Sequence, residues 1–252
     1  MTWAPHFLRL ACSKIRLCIF VVLASASLVC MTLSAEAQSR LSSARMIDGF
    51  NKTVFGAEYT SFGRQPLYVR KFTREVRFYI DAQSRKKRSN RVRKFILSLN
   101  NAISGLKTRI VSNPINANFR VYVVDSPDYA DTVRNKVYRR SNARVIGRCM
   151  VRSVFSRAGI QRSDAVIVSD QGEKLFRRCM IEEILQGLGP LNEDRSLRYS
   201  VFNDASRQTS FTRHDRIIMN MLYDKRLKNG TSQNKAQALL PALYKTARKR
   251  VR

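Results

Sequence analysis

Histidine is almost missing from this chain: its 252 residues hold two, His6 and His214. A catalytic zinc takes three protein ligands, most often imidazole, and keeps one position open for water. Two histidines cannot supply that set, and His6 lies in a segment read below as removed. Acid is scarce as well, with 18 Asp and Glu against 47 Lys and Arg and a formal charge of +29. That balance makes polyanions the electrostatic partners. Glycine and proline are few, at 10 and 6, and form no linker, so nothing divides the chain into separate folding units. No internal repeat is visible. The one long apolar run sits near the N-terminus.

That run reads as an export signal. Residues 1–16 carry Arg9, Lys14 and Arg16, the stretch 17–33 is apolar, and Ala35-Glu36-Ala37 supplies a small-x-small cleavage pattern. A signal peptide over 1–37 with cleavage before Gln38 is expected, and a periplasmic or secreted protein with it. An uncleaved anchor is the alternative, and Val29 ahead of Cys30 argues against lipidation. Removing the segment lowers the charge only to about +27. It also takes Cys12, Cys18 and Cys30, leaving Cys149 and Cys179 in an oxidising compartment. An even pair there reads as a disulfide, worth roughly 3–4 kcal/mol by loop closure. The competing reading is a reactive thiol, for which only His214 is available as a partner.

The chemistry-bearing stretch is Cys179 to Asp204, CMIEEILQGLGPLNEDRSLRYSVFND. Its spacing is that of HExxHxxGxxH, in which two histidines one turn apart and a third beyond a glycine hold zinc, and a Glu is the general base. Here those positions read Glu182, Glu183, Gln186, Gly189 and Asn192. One carboxylate and two amides suit zinc badly, so no metal and no cofactor is expected. At about 100° per residue, Glu182, Gln186 and Glu183 share one polar stripe. Met180, Ile181, Ile184, Leu185 and Leu188 take the other side. The stripe faces water or floors a cleft that Gly189, Asn192 and Asp194 complete. In the second case Glu183 and Glu182 are the catalytic candidates.

Along the rest of the chain, Met46, Ile47, Phe50 and Val54 predict an N-terminal helix, which with a polar linker fills 38–65. Strands are expected at 75–81, 118–125, 151–155 and 165–169, the last apolar on both faces and therefore interior. Helices are expected after Ser89-Asn90, after Pro127, from 172 to 189, and after Thr212, whose N-cap is followed by an acid three residues on. The basic end, 236–252, reads as a tail. Strands followed by helices in this order predict an α+β domain over 66–235, a mixed sheet packed on helices around the motif helix.

Three segments together carry a family likeness: CxxEExxQxxGxxN at 179–192, SVFND at 200–204 and FTRHDRIIMNMLYDKRLKNG at 211–230. They resemble the proteobacterial domain-of-unknown-function family numbered 2927, which is exported and zincin-like and has no assigned function. The resemblance implies a zincin-like single domain with Glu182, Glu183 and Gln186 at the motif positions and the two cysteines paired. The chain departs from active metzincins in lacking every ligand histidine. It also lacks a Met after the helix, where Phe202 is the nearest bulky residue. Glu193 is interposed in what the family pattern has as an Asn-Asp pair.

Three functions compete. The first is a metal-free binding or scaffold protein of the envelope, holding a peptide or cell-envelope polymer in the old cleft. The second is a peptidase-like or glycan-directed hydrolase using Glu182 and Glu183 as acid and base, for which adjacent helix positions are an awkward geometry. The third is an electrostatic binder of anionic lipid or polysaccharide through the basic runs at 85–94, 134–148 and 245–252. Export and the absence of interleaved aromatics argue against nucleic acid.

Overall fold

The structure is a computed structural model that describes residues 43–57 and 65–251. The expected signal peptide and its cleavage site lie outside the described residues.

The alternating apolar residues of the strands build one five-stranded mixed sheet. Strand β1 (Val76–Ala82) feeds helix α2 (Ser89–Ala102), which returns the chain to β2 (Thr108–Ile110) beside β1 and parallel to it. A short turn over Pro114–Asn116 leads to β3 (Phe119–Val124) on the other side of β1. Helix α3 (Ser126–Thr132), drawn on through a wider turn to Tyr138, precedes a hairpin of β4 (Cys149–Ser156) and β5 (Gly159–Val168). The strand order is β2-β1-β3-β5-β4, parallel except for β4, which runs antiparallel along the edge. Strand β5 is interior as expected. Its Ala165 and Ile167 enter the main core, while Val166 and Val168 enter a smaller cluster with Tyr122, Val124 and Val133 on the opposite face.

The main core lies between the sheet and helices α2, α4 (Glu173–Gln186), α5 (Arg213–Leu222) and α7 (Leu240–Arg250). A short helix, α6 (Gln233–Ala236), precedes α7. The N-terminal helix α1, at 43–54, adds Phe50 and Val54 to the same core. Thr212 caps α5 as its sequence predicts: its hydroxyl accepts from Asp215 N and the Asp215 carboxylate accepts back from Thr212 N, closing both halves of a capping box.

Two expectations need correction. The stretch 236–252 is no tail, because Leu240, Leu243, Tyr244, Ala247 and Val251 are buried and α7 packs on α5. Their spacing is that of one helix side, which the intervening basic residues obscure. The motif helix α4 is also not amphipathic at its C-terminal half, where every residue from Cys179 to Gln186 is buried. It packs beneath β4 and β5, and the loop after the helix covers its polar groups, which meet protein rather than water.

Candidate functional site

The disulfide fixes how α4 is turned. Cys179 is bonded to Cys149 at the start of β4, with the Cα atoms 5.8 Å apart. Residues four apart share a helix face, so Glu183 lies on Cys179's side, under β4. One turn further, a Cβ on Gly187 would meet Val151 Cγ2 at 3.0 Å and the Phe119 ring at 2.5 Å. A glycine there lets α4 approach the sheet closely. Glu183 lies between Cys179 and Gly187 along this face of α4, the face that packs toward β4.

Glu182 faces the other way, toward the loop after the helix. Arg178, one turn earlier, grips it with two contacts of 3.0 Å, from Nε to Oε2 and from Nη2 to Oε1. The same guanidinium donates to the Asn203 and Ser206 carbonyls at 3.0 and 2.6 Å and lies 3.5 Å from Asp204 Oδ1. Gln186 Nε2 donates to Glu193 Oε1 at 2.8 Å, and Glu193 Oε2 accepts from Asp204 N at 3.1 Å. Glu182, Glu183 and Gln186 are exposed by only 3 %, 6 % and 6 %, so this is a buried polar network and not a solvated stripe.

Burial in first place, then the Glu183 charge, push the Glu182 carboxyl far above the ordinary carboxylate range, against the pull of Arg178. A hydrogen bond shared with Glu193 acts in the same upward direction. Adjacent positions diverge by about 100° on a helix, so this acid looks to the loop while Glu183 looks to β4.

The remaining expected cleft residues separate. Gly189 has φ +149, and a Cβ there would meet Leu222 Cδ2 at 2.6 Å and Arg70 O at 2.8 Å. It turns the chain where only glycine fits. Asn192 and Asp194 do not join Glu182 and Gln186. Asn192 Nδ2 donates to Lys52 O at 2.8 Å, and Asp194 accepts from Ser196 N at 2.8 Å and lies 3.7 Å from Lys52 Nζ. Both serve the end of α1. The interposed Glu193 points the opposite way and takes the place expected of Asn192.

Three residues of the network, Arg178, Glu193 and Asp204, stood outside the expected site. Arg178 carried a signal, since an Arg four residues before a Glu on a helix predicts an ion pair. Glu193 was visible as a break in the family pattern.

This donor set does not fit a catalytic zinc. At the three ligand positions, Glu182 is held by an arginine, Gln186 gives its amide to Glu193, and Asn192 is turned to α1. One oxygen each of Glu182, Glu193 and Asp204 lies within 4.8 Å of the others, a start on an oxygen shell for a harder cation. Arg178 already contacts two of those three residues and supplies the positive charge itself.

Among the described residues no helix is long and apolar enough to cross a membrane. No curated protein matches the chain. The family model described as protein of unknown function (DUF2927) matches residues 43–242, most of the chain, and this protein belongs to that family.

Proposed function

We propose that this chain is an exported, zincin-like envelope protein that binds an extended peptide along β4 without a metal. The observation that carries the reading is the Cys149–Cys179 bond, which sets the Glu183 side of α4 beneath a strand that, among the described residues, is paired on one side only. An edge strand offers a row of backbone donors and acceptors on which an extended chain can add, and nearby side chains give such binding its selectivity. Glu183, almost fully buried, acts from beneath through its charge, which favours a cationic side chain on the added strand. The mixed sheet with its antiparallel edge beside the motif helix supports the zincin-like assignment. The Arg178 network supports the metal-free one, because it uses the motif residues to staple the 203–206 loop to α4.

The test is equilibrium binding of a library of extended peptides and envelope-polymer fragments with excess chelator present. Binding is expected to survive the chelator and to weaken at least about tenfold in Glu183→Ala, the scale of one charged hydrogen bond, with the far-UV spectrum unchanged. Binding that requires zinc, or that ignores Glu183→Ala, would remove the proposal.

A further inference from the structure

The opposite face of the sheet carries a second feature, independent of the peptide reading. Side chains alternate across a strand. In β1 to β5 the residues between the core positions Val76, Phe78, Phe119, Val121, Val151 and Ala165 therefore point away from α4. At one end that face is covered by α3 and its continuation. At the other end the outward positions are Arg77, Arg109, Arg120, Arg152 and Arg162. The register sets them side by side: Arg77 opposite Arg109, and Arg120 and Arg152 flanking Asp164 on neighbouring strands.

Two of these charges have carboxylate partners, Arg109 with Glu75 at 2.6 Å and Arg162 with Asp164 at 2.8 Å. The other three are held by carbonyls: Arg77 by Asn116 O, Arg120 by Pro114 O at 3.2 Å and Arg152 by Val137 O at 3.0 Å. A carbonyl fixes a guanidinium without cancelling its charge. The result is a preorganised cationic surface.

An apolar element stands beside it. The turn whose carbonyls Arg77 and Arg120 hold is also fixed by Asn113, whose side chain accepts from Ile115 N at 2.9 Å, and by Pro114. This rigid turn exposes Ile115 by 84 %, more than any other large apolar side chain among the described residues, and Val154 on β4 is exposed too. Arginines beside a projecting aliphatic residue match a bilayer surface, where anionic headgroups meet the charges and the apolar side chain enters the acyl boundary. An acidic polysaccharide would use the arginines and leave Ile115 in water.

We propose that the arginine face of the sheet docks on an anionic phospholipid bilayer with Ile115 inserted. The test uses the full chain with Trp3→Phe, so that an indole introduced by Ile115→Trp is the sole one and reports locally, whatever the apolar run at 17–33 does. Vesicles of equal parts phosphatidylglycerol and phosphatidylcholine are expected to shift its emission to the blue, pure phosphatidylcholine vesicles are not, and high salt is expected to reverse the shift. Adding Arg77→Gln and Arg120→Gln lowers the vesicle affinity read at position 115 by roughly thirty-fold, at the usual contribution of one surface charge each. Should that pair not fold, Arg152→Gln alone lowers it roughly five-fold. No shift with anionic vesicles, or an equal shift with neutral ones, overturns the proposal. Capture on an acidic polysaccharide with a silent indole at 115 also overturns it and makes the partner a polymer.

Discussion

The two faces of the sheet handle charge in opposite ways. Beneath it, a single arginine serves the carboxyls of buried Glu182 and exposed Asp204, with half-buried Glu193 linked through Gln186, and hydrogen bonds close the set. Above it, five arginines lie one to a strand, and among the described residues only Arg109 and Arg162 of the five form an ion pair. A buried polar group that is fully satisfied specifies a fold, while an uncompensated charge at the surface is available to a partner. The contrast separates Arg178, Glu182 and Gln186, which hold the loop to α4, from a surface whose charges are open to a partner.

The largest expected effect tests the lower face. Arg178→Ala removes the cation that Glu182 and Asp204 share and cuts the staple to the 203–206 loop. Breaking a buried ion pair from one side costs about 3 kcal/mol or more, so denaturant unfolding should show a loss of that size with an unchanged slope. A loss below about 1 kcal/mol would mean the network is ornamental and that the two faces do not differ as described.

A smaller effect is expected from pH. Burial raises Asp215 from 3.8 to about 6, against hydrogen bonds from Ser200, Thr212 and Val201. A carboxyl raised in the folded state binds its proton more tightly there than in the unfolded chain. Its stabilisation is therefore present below about pH 4 and lost as pH climbs to about 6, a fall of about 3 kcal/mol. Glu182, shifted the same way, extends the decline to higher pH. Glu182→Gln removes that titration and should flatten the upper part of the curve, but by taking the carboxylate from Arg178 it should also lower stability at neutral pH. Urea midpoints measured across pH check both.

The same contrast explains what could be read from sequence. Contiguous or helix-periodic features were legible: α1 from Met46, Ile47, Phe50 and Val54, the α5 cap from Thr212 and Asp215, and the cysteine pair from the count that remains once the expected signal is set aside. The arginine face was not, because each strand contributes one member and the strands are far apart in sequence. The basic runs that stood out instead are partly spent at home, with Arg88 and Arg91 both on Glu173. The buried side of α7 was hidden by its own lysines and arginines. Asn192 and Asp194 were misplaced for a further reason: residue alternation along the loop after Gly189 sends Glu193 to the helix and its two neighbours to α1, which spacing alone does not reveal. Strand β2, three residues long, has too little periodicity to register.

Thermal unfolding with saturating zinc and with chelator decides whether the motif helix is a metal site. A ligand that binds only the folded state raises the midpoint in proportion to the logarithm of its excess over the dissociation constant. With Arg178 and Gln186 already committed to neighbouring carboxylates, the two curves should coincide. A rise of several degrees with zinc, abolished by Glu182→Gln, would contradict the reading of this helix as a closed polar network.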